Sequence, residues 1–198
     1  MKEKTAVDEL IENLSKRGLT CDIHEAGRNF IIPGSDRYFN KKFVITSIDS
    51  MYFIAFDSYG TKAHTSETYT GLYSKINLPL DAECNIYIKD WVDIFFRYNK
   101  HKTGNNFIDQ NLTITSRSGW TPRGILSTQD VLDYIKIAKS IFPIKMIIKN
   151  NYLSIIKDLK ETKIIGIESD VWLYKKSDLD LFLNTGGQII SRIIKACT

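Results

Sequence analysis

The apolar positions of this 198-residue chain change their spacing from segment to segment, and the spacing predicts the elements. Val7, Leu10, Ile11 and Leu14 fall on one helical stripe. Thr5 and Asp8 ahead of it stand three apart, as in a capping box, and Gly18 follows as a stop. Residues 43–48 and 51–57 then turn β-rich, and Asp49 and Ser50 between them predict a hairpin. Residues 84–89 alternate strictly, which puts Cys84, Ile86 and Ile88 on one face of a strand. Residues 60–71 are polar and poor in aliphatics, so a loop or twisted edge is expected there.

Asp90 and Asp93 suit the start of a helix that buries Trp91, Phe95 and Tyr98. A strand is expected at 112–116. A second well-marked helix has Ser127 and Asp130 at its start. It carries Val131, Leu132, Ile135, Ala138 and Ile141 on one face, with Pro143 beyond its end. Residues 144–149 and 152–157, joined by Asn150 and Asn151, read as another hairpin, and 163–167 and 171–174 as two further strands. The last helix opens at Ser177 and keeps Leu179, Phe182, Leu183, Ile190, Ile193, Ile194 and Cys197 at helical spacing. Gly186 and Gly187 inside it each cost about 1 kcal/mol relative to alanine. A break or kink at 184–187 is therefore expected, in preference to a close backbone approach.

Strands in hairpins, with helices at both ends and in the middle, define an α+β fold. The expected architecture is mostly antiparallel sheet with three to four helices packed on one face. No low-complexity linker divides the chain, so one domain over 1–198 is expected. The segments KKFVITS (41–47) and QNLTITS (110–116) look alike on few identities at strand-typical positions, which chance or common strand grammar explains in preference to a duplication into half-domains 1–102 and 103–198.

Composition narrows the class. With 43% hydrophobic residues the chain can bury a core without metals or disulfides. The segment MKEKTAVDELIENL carries acids where a secretory signal needs an apolar run. No stretch approaches the ~20 consecutive apolar residues of a membrane span. Three cysteines, Cys21, Cys84 and Cys197, are odd in number and far apart, which points to free thiols. The expectation is a cytoplasmic protein with no membrane span. The net charge of +4 is uneven: residues 1–99 hold 12 Lys/Arg against 14 Asp/Glu, and residues 100–198 hold 15 against 9. A basic half can mark a nucleic-acid face, and lysines spread along strand edges and helix faces give the same excess.

Few constellations carry chemistry. Cys21 and His24 are spaced C-x2-H, but a closed zinc site takes four ligands, and on an extended segment these two point to opposite faces. No metal or cofactor site is expected. No G-x-S-x-G elbow is present; His64, Thr65, Ser66, Glu67 and Thr68 form the one polar cluster with a base, hydroxyls and a carboxylate. Asn184-Thr185-Gly186-Gly187 and Lys102-Thr103-Gly104-Asn105 are incomplete as phosphate loops. Residues 97–102 interleave Arg97, Lys100 and Lys102 with Tyr98, as nucleic-acid surfaces do, though cations are also favoured at the end of the predicted helix there. Trp120, in a Gly/Pro-flanked loop beside Arg123, is the best single contact candidate, since tryptophan and arginine are enriched at binding hot spots.

Residues 103–114 (TGNNFIDQNLTI) are similar to a block in uncharacterised bacterial domain-of-unknown-function proteins. In those proteins a Thr-Gly turn precedes an aromatic-Asp pair and a strand. The order of elements over 103–196 is similar too, although here Ile108 separates Phe107 from Asp109. The resemblance implies a bacterial fold and no activity, and it assigns no functional residue. The expected function is a non-enzymatic binding module that acts on protein through a sheet edge and the Trp120 loop. Trp120, Arg123, His64, Arg97 and Lys102 are its candidate binding residues. The alternatives are a small hydrolase or transferase using His64 to Thr68, and nucleic-acid association through the basic second half.

Overall fold

Thr5 opens the first helix by a reciprocal cap: its hydroxyl oxygen accepts the Asp8 N–H at 3.2 Å, and the Asp8 carboxylate accepts the Thr5 N–H at 3.0 Å. The computed structural model describes residues 5–26, 38–60, 66–90, 98–153 and 156–198. Among them are α1 (Ala6–Ser15), α2 (Asn106–Asn111), α3 (Thr128–Ser140), α4 (Lys176–Leu181) and α5 (Gly187–Ala196). The strands are β1 (Asp22–Ala26), β2 (Tyr38–Ile48), β3 (Met51–Gly60), β4 (Ser66–Lys75), β5 (Cys84–Ile88), β6 (Lys100–His101), β7 (Leu112–Thr115), β8 (Ile144–Asn150) and β9 (Lys163–Ser169).

Among the described residues, nine strands join one sheet in the order β1-β2-β3-β4-β9-β8-β5-β7-β6, and every neighbouring pair is antiparallel. The fold is α+β, as the hairpin pattern predicts. The β2–β3 hairpin closes with Ile48 opposite Met51, and Asp49 takes the left-handed conformation (φ 53°) that a two-residue turn requires. Strand residues alternate between two apolar clusters. Phe53, Ala55, Leu72, Ile86, Ile114, Met146, Ile148, Ile165 and Ile167 join one of them, with Leu10 and Leu14 of α1, Ile108 of α2, Val131 and Ile137 of α3, Leu179 of α4 and Ile190 of α5. Ile54, Phe56, Tyr69, Tyr73, Ile147 and Ile164 turn the other way, against Leu153, Ile156 and Leu159.

Ser127 and Asp130 form the second predicted reciprocal cap, at the start of α3. Asp130 is buried there and also accepts Arg192 Nε at 2.7 Å, which ties α5 to α3. On the same helix Leu132, expected inside, is largely exposed, because Tyr134 and Ile137 take the inner face.

Several expected elements differ. Residues 66–71 belong to β4, an interior strand between β3 and β9. Its hydroxyl and aromatic residues are good strand formers despite their polarity. No strand forms at 152–153 or 156–157; Ile144–Asn150 pairs with β9 instead, and the chain between makes a 3-10 turn at Lys157–Leu159. Residues 171–174 are not strand, because Leu173 N–H is taken by the Thr70 hydroxyl. The last helix does not break at 184–187. A π-turn at Phe182–Gly186 carries it from α4 into α5, and the glycines admit close neighbours: a Cβ at Gly186 would stand 3.4 Å from Ile167 Cδ1, and one at Gly187 3.4 Å from Met51 Cε. The helix expected from Asp90 lies mostly outside the described residues, but Tyr98, expected inside, is 79% exposed.

Candidate functional site

Tyr73 on β4 lies flat on the sheet because the positions beneath it are glycines. A Cβ at Gly71 would stand 2.5 Å from Tyr73 Cζ, and one at Gly166 2.6 Å from its Cε1. Gly166 is the register partner of Tyr73, and Gly71 is that of Glu168. This slot carries the Tyr73 hydroxyl to Glu168 Oε1, to which it donates at 3.1 Å. The Tyr152 hydroxyl donates to the same oxygen, and the Tyr69 and Tyr73 hydroxyls share a hydrogen bond behind it. Lys145, opposite Glu168 in the β8–β9 register, places Nζ 3.0 Å from Oε2. Glu168 is 2% exposed, so its charge is held by three donors in place of water.

The electrostatics follow from burial and this one carboxylate. Burial, and then the Glu168 charge, push the Tyr69 and Tyr73 phenols well above their ordinary range. Burial pulls the Lys145 ammonium down, but the attraction and hydrogen bond of Glu168 outweigh it and hold the group above its usual value. Lys149, four residues further along the same face, is lowered, mainly by burial. It stands 5.8 Å from the Tyr152 ring centroid, within cation–π reach.

Beside Glu168 opens a cleft of about 270 Å³, walled by Tyr87 of β5 and by Phe142 and Pro143 ahead of β8, with Lys145 and Glu168 at its base and Asp170 at its rim. Phe142 is 68% exposed. The Asp170 carbonyl accepts the Thr68 hydroxyl at 2.7 Å, so the start of β4 is tied to this rim. Both Glu168 oxygens are engaged, Oε1 by the two phenols and Oε2 by Lys145. The arrangement presents an aromatic-walled recess with fixed charges at its floor.

Of the residues singled out from the sequence, Trp120, Arg123 and Lys102 fall elsewhere. Trp120 is half-buried against the helix-bearing cluster, and its N–H meets Ser118 Oγ at 3.3 Å. Arg123 is exposed and donates from Nε to Thr103 O at 2.8 Å, beside Gly104. That contact braces a turn in which Asp109 accepts Thr103 N–H and Oγ1–H, both at 2.8 Å, and Gly104 N–H at 3.1 Å. Lys102 is exposed and lines a separate cleft with Lys89 and His101. His64 and Arg97 lie outside the described residues. Glu168, Tyr73, Tyr152 and Lys145 were not singled out. Their signal was an acid ending the apolar run of β9 and lysines alternating through β8, which become partners only when the strand order is known.

Among the described residues no group of three His, Cys, Asp or Glu side chains stands close enough to hold a metal ion, and no helix is long and apolar enough to cross a membrane. No family model, curated protein or solved structure matches the chain.

Proposed function

We propose that the protein is a non-enzymatic protein-recognition module that takes a cationic side chain of its partner into the cleft between Tyr87 and Phe142. The observation that carries this reading is the exposure of Phe142 at the mouth of a recess with Asp170 at its rim. A large ring held in solvent beside a carboxylate fits the aliphatic stem and ammonium or guanidinium of lysine or arginine, through apolar contact, cation–π attraction and charge. Lys145 is engaged by Glu168, so Asp170 remains the acidic determinant at the rim.

Short peptides that differ only in a central Lys, Gln or Glu test this by NMR titration. The lysine peptide is expected to bind best, shifting Tyr87 and Phe142 resonances, and Asp170→Asn to remove its advantage over glutamine. Equal response to the three peptides, or a preference that survives Asp170→Asn, would sink it.

A further inference from the structure

A second cleft, of about 320 Å³, lies at the far end of the sheet, away from Glu168. Lys100 and His101 of β6 enter it from the edge, followed by Lys102, while Lys89 arrives from the end of β5, eleven or more residues away in sequence. Lys89 is fixed from both sides. Its N–H donates to Asn111 O at 2.9 Å and its Nζ to Asp109 O at 2.8 Å. His101 donates from Nε2 to Ser116 O at 3.1 Å, which sets its ring at the cleft wall. Two carboxylates, Asp90 and Asp109, also line the cleft. That of Asp109 is turned onto the Thr103 and Gly104 N–H groups and the Thr103 hydroxyl.

The chain leading into β6 carries an aromatic ring. Tyr98 stands 79% exposed two residues before Lys100, and Asn99 between them is in the left-handed conformation (φ 55°). The Asn99 carbonyl accepts Ser116 N–H at 3.2 Å, so the turn that presents Tyr98 is anchored to the residue following β7. An exposed ring together with ammonium groups is the combination that holds unpaired bases by stacking and their phosphates by point charge, without reading sequence.

We infer that this cleft binds single-stranded nucleic acid, with Lys89 and Lys102 on the phosphates and Tyr98 as the platform on which a base stacks. A duplex keeps its bases stacked on one another and offers Tyr98 no face, so the preference is for the unpaired strand.

Fluorescence anisotropy with a labelled oligo-dT tests the assignment in the full chain. Binding at low salt is expected, falling as salt rises with a log–log slope of about 0.7 for each phosphate neutralised. Lys102→Gln and Lys89→Gln are each expected to reduce that slope by about the same amount. Tyr98→Ala should weaken binding by about tenfold and Tyr98→Phe should restore it, since stacking needs the ring and not the hydroxyl. Lys89→Gln also removes the bond to Asp109 O, so Lys102→Gln and Tyr98→Ala, both exposed positions, keep the test independent of folding. No anisotropy change at low salt, a slope unmoved in Lys102→Gln, or equal affinity for a duplex of the same length would overturn the inference. Full competition by inorganic pyrophosphate with no dependence on Tyr98 would overturn it as well, in favour of a small-anion site.

Discussion

Lys145 and Glu168 face each other across β8 and β9 with Nζ 3.0 Å from Oε2, the ammonium 35% exposed and the carboxylate 2%. The two ends of this ion pair are therefore unequal. Lys145→Met leaves a buried carboxylate with phenol donors only and is expected to cost about 3 kcal/mol. Adding Glu168→Gln to it should recover part of that loss. Urea denaturation of the single and double variants measures the difference, and additive losses would contradict the pairing. The pH sign is set by the raised lysine. Its folded pKa lies above the unfolded value of about 10.4, so the contribution is complete below that pH and fades as pH climbs through the folded value.

The glycine slot under Tyr73 yields a second test. Gly166→Ala forces a methyl into the ring and should destabilise by about 2 to 3 kcal/mol. In a Tyr73→Leu background, where the ring is gone, the same substitution should cost less than half as much. Thermal or urea unfolding of the four proteins decides it; an unchanged cost would mean that the strain lies in the backbone and not the ring.

Asp109 predicts an acid dependence. Burial pushes its carboxyl up, but the Thr103 N–H and hydroxyl, the Gly104 N–H and the Lys102 charge outweigh that and leave it below the usual carboxylate range. A depressed folded pKa means stability that is present above the unfolded value of about 3.9 and lost as pH falls through the folded one. Asp109→Asn should cost about 1 to 2 kcal/mol at neutral pH. The gap from the parent should close on acidification below about pH 4; a gap independent of pH would show that shape, not charge, holds the turn.

The three thiols should label in a fixed order. Cys84 is buried, and burial pushes its thiol up to about 12. Cys21 and Cys197 are half-buried and raised mainly by burial. With a thiol reagent at mildly alkaline pH, Cys21 and Cys197 should react slowly and Cys84 only after denaturant is added. Mass mapping of the labelled sites checks the order, and early labelling of Cys84 would contradict its place inside the sheet.

What the sequence revealed was local. Thr5 with Asp8, Ser127 with Asp130, and the Asp49–Ser50 turn each signal through neighbours a few residues apart, and each forms as expected. What it hid depends on distant partners. Residues 66–71 look like a polar loop until β3 and β9 flank them, because Thr68 and Thr70 find carbonyl partners at Asp170 and Val171, about a hundred residues away. Tyr152 suggests a strand, yet its ring is drawn to Glu168. The Glu168 cluster joins β4, β8 and β9 with residue 152, and alternation within one strand does not reveal which strand lies beside it. Gly186 and Gly187 were legible as an anomaly, but the two outcomes, a kink or a tight approach, have the same composition.

Strand β9 is the last of the described strands along the chain and yet lies fifth in the sheet, between β4 and β8. Until it is inserted, β4 and β8 each keep one edge unpaired, and such edges invite pairing with other chains. A nascent chain on the ribosome cannot close its sheet before residue 169 has emerged, and the centre is the final piece laid rather than the first. Substitutions in Ile164, Ile165 or Ile167 should therefore reduce soluble yield more than their effect on the finished protein's stability would suggest.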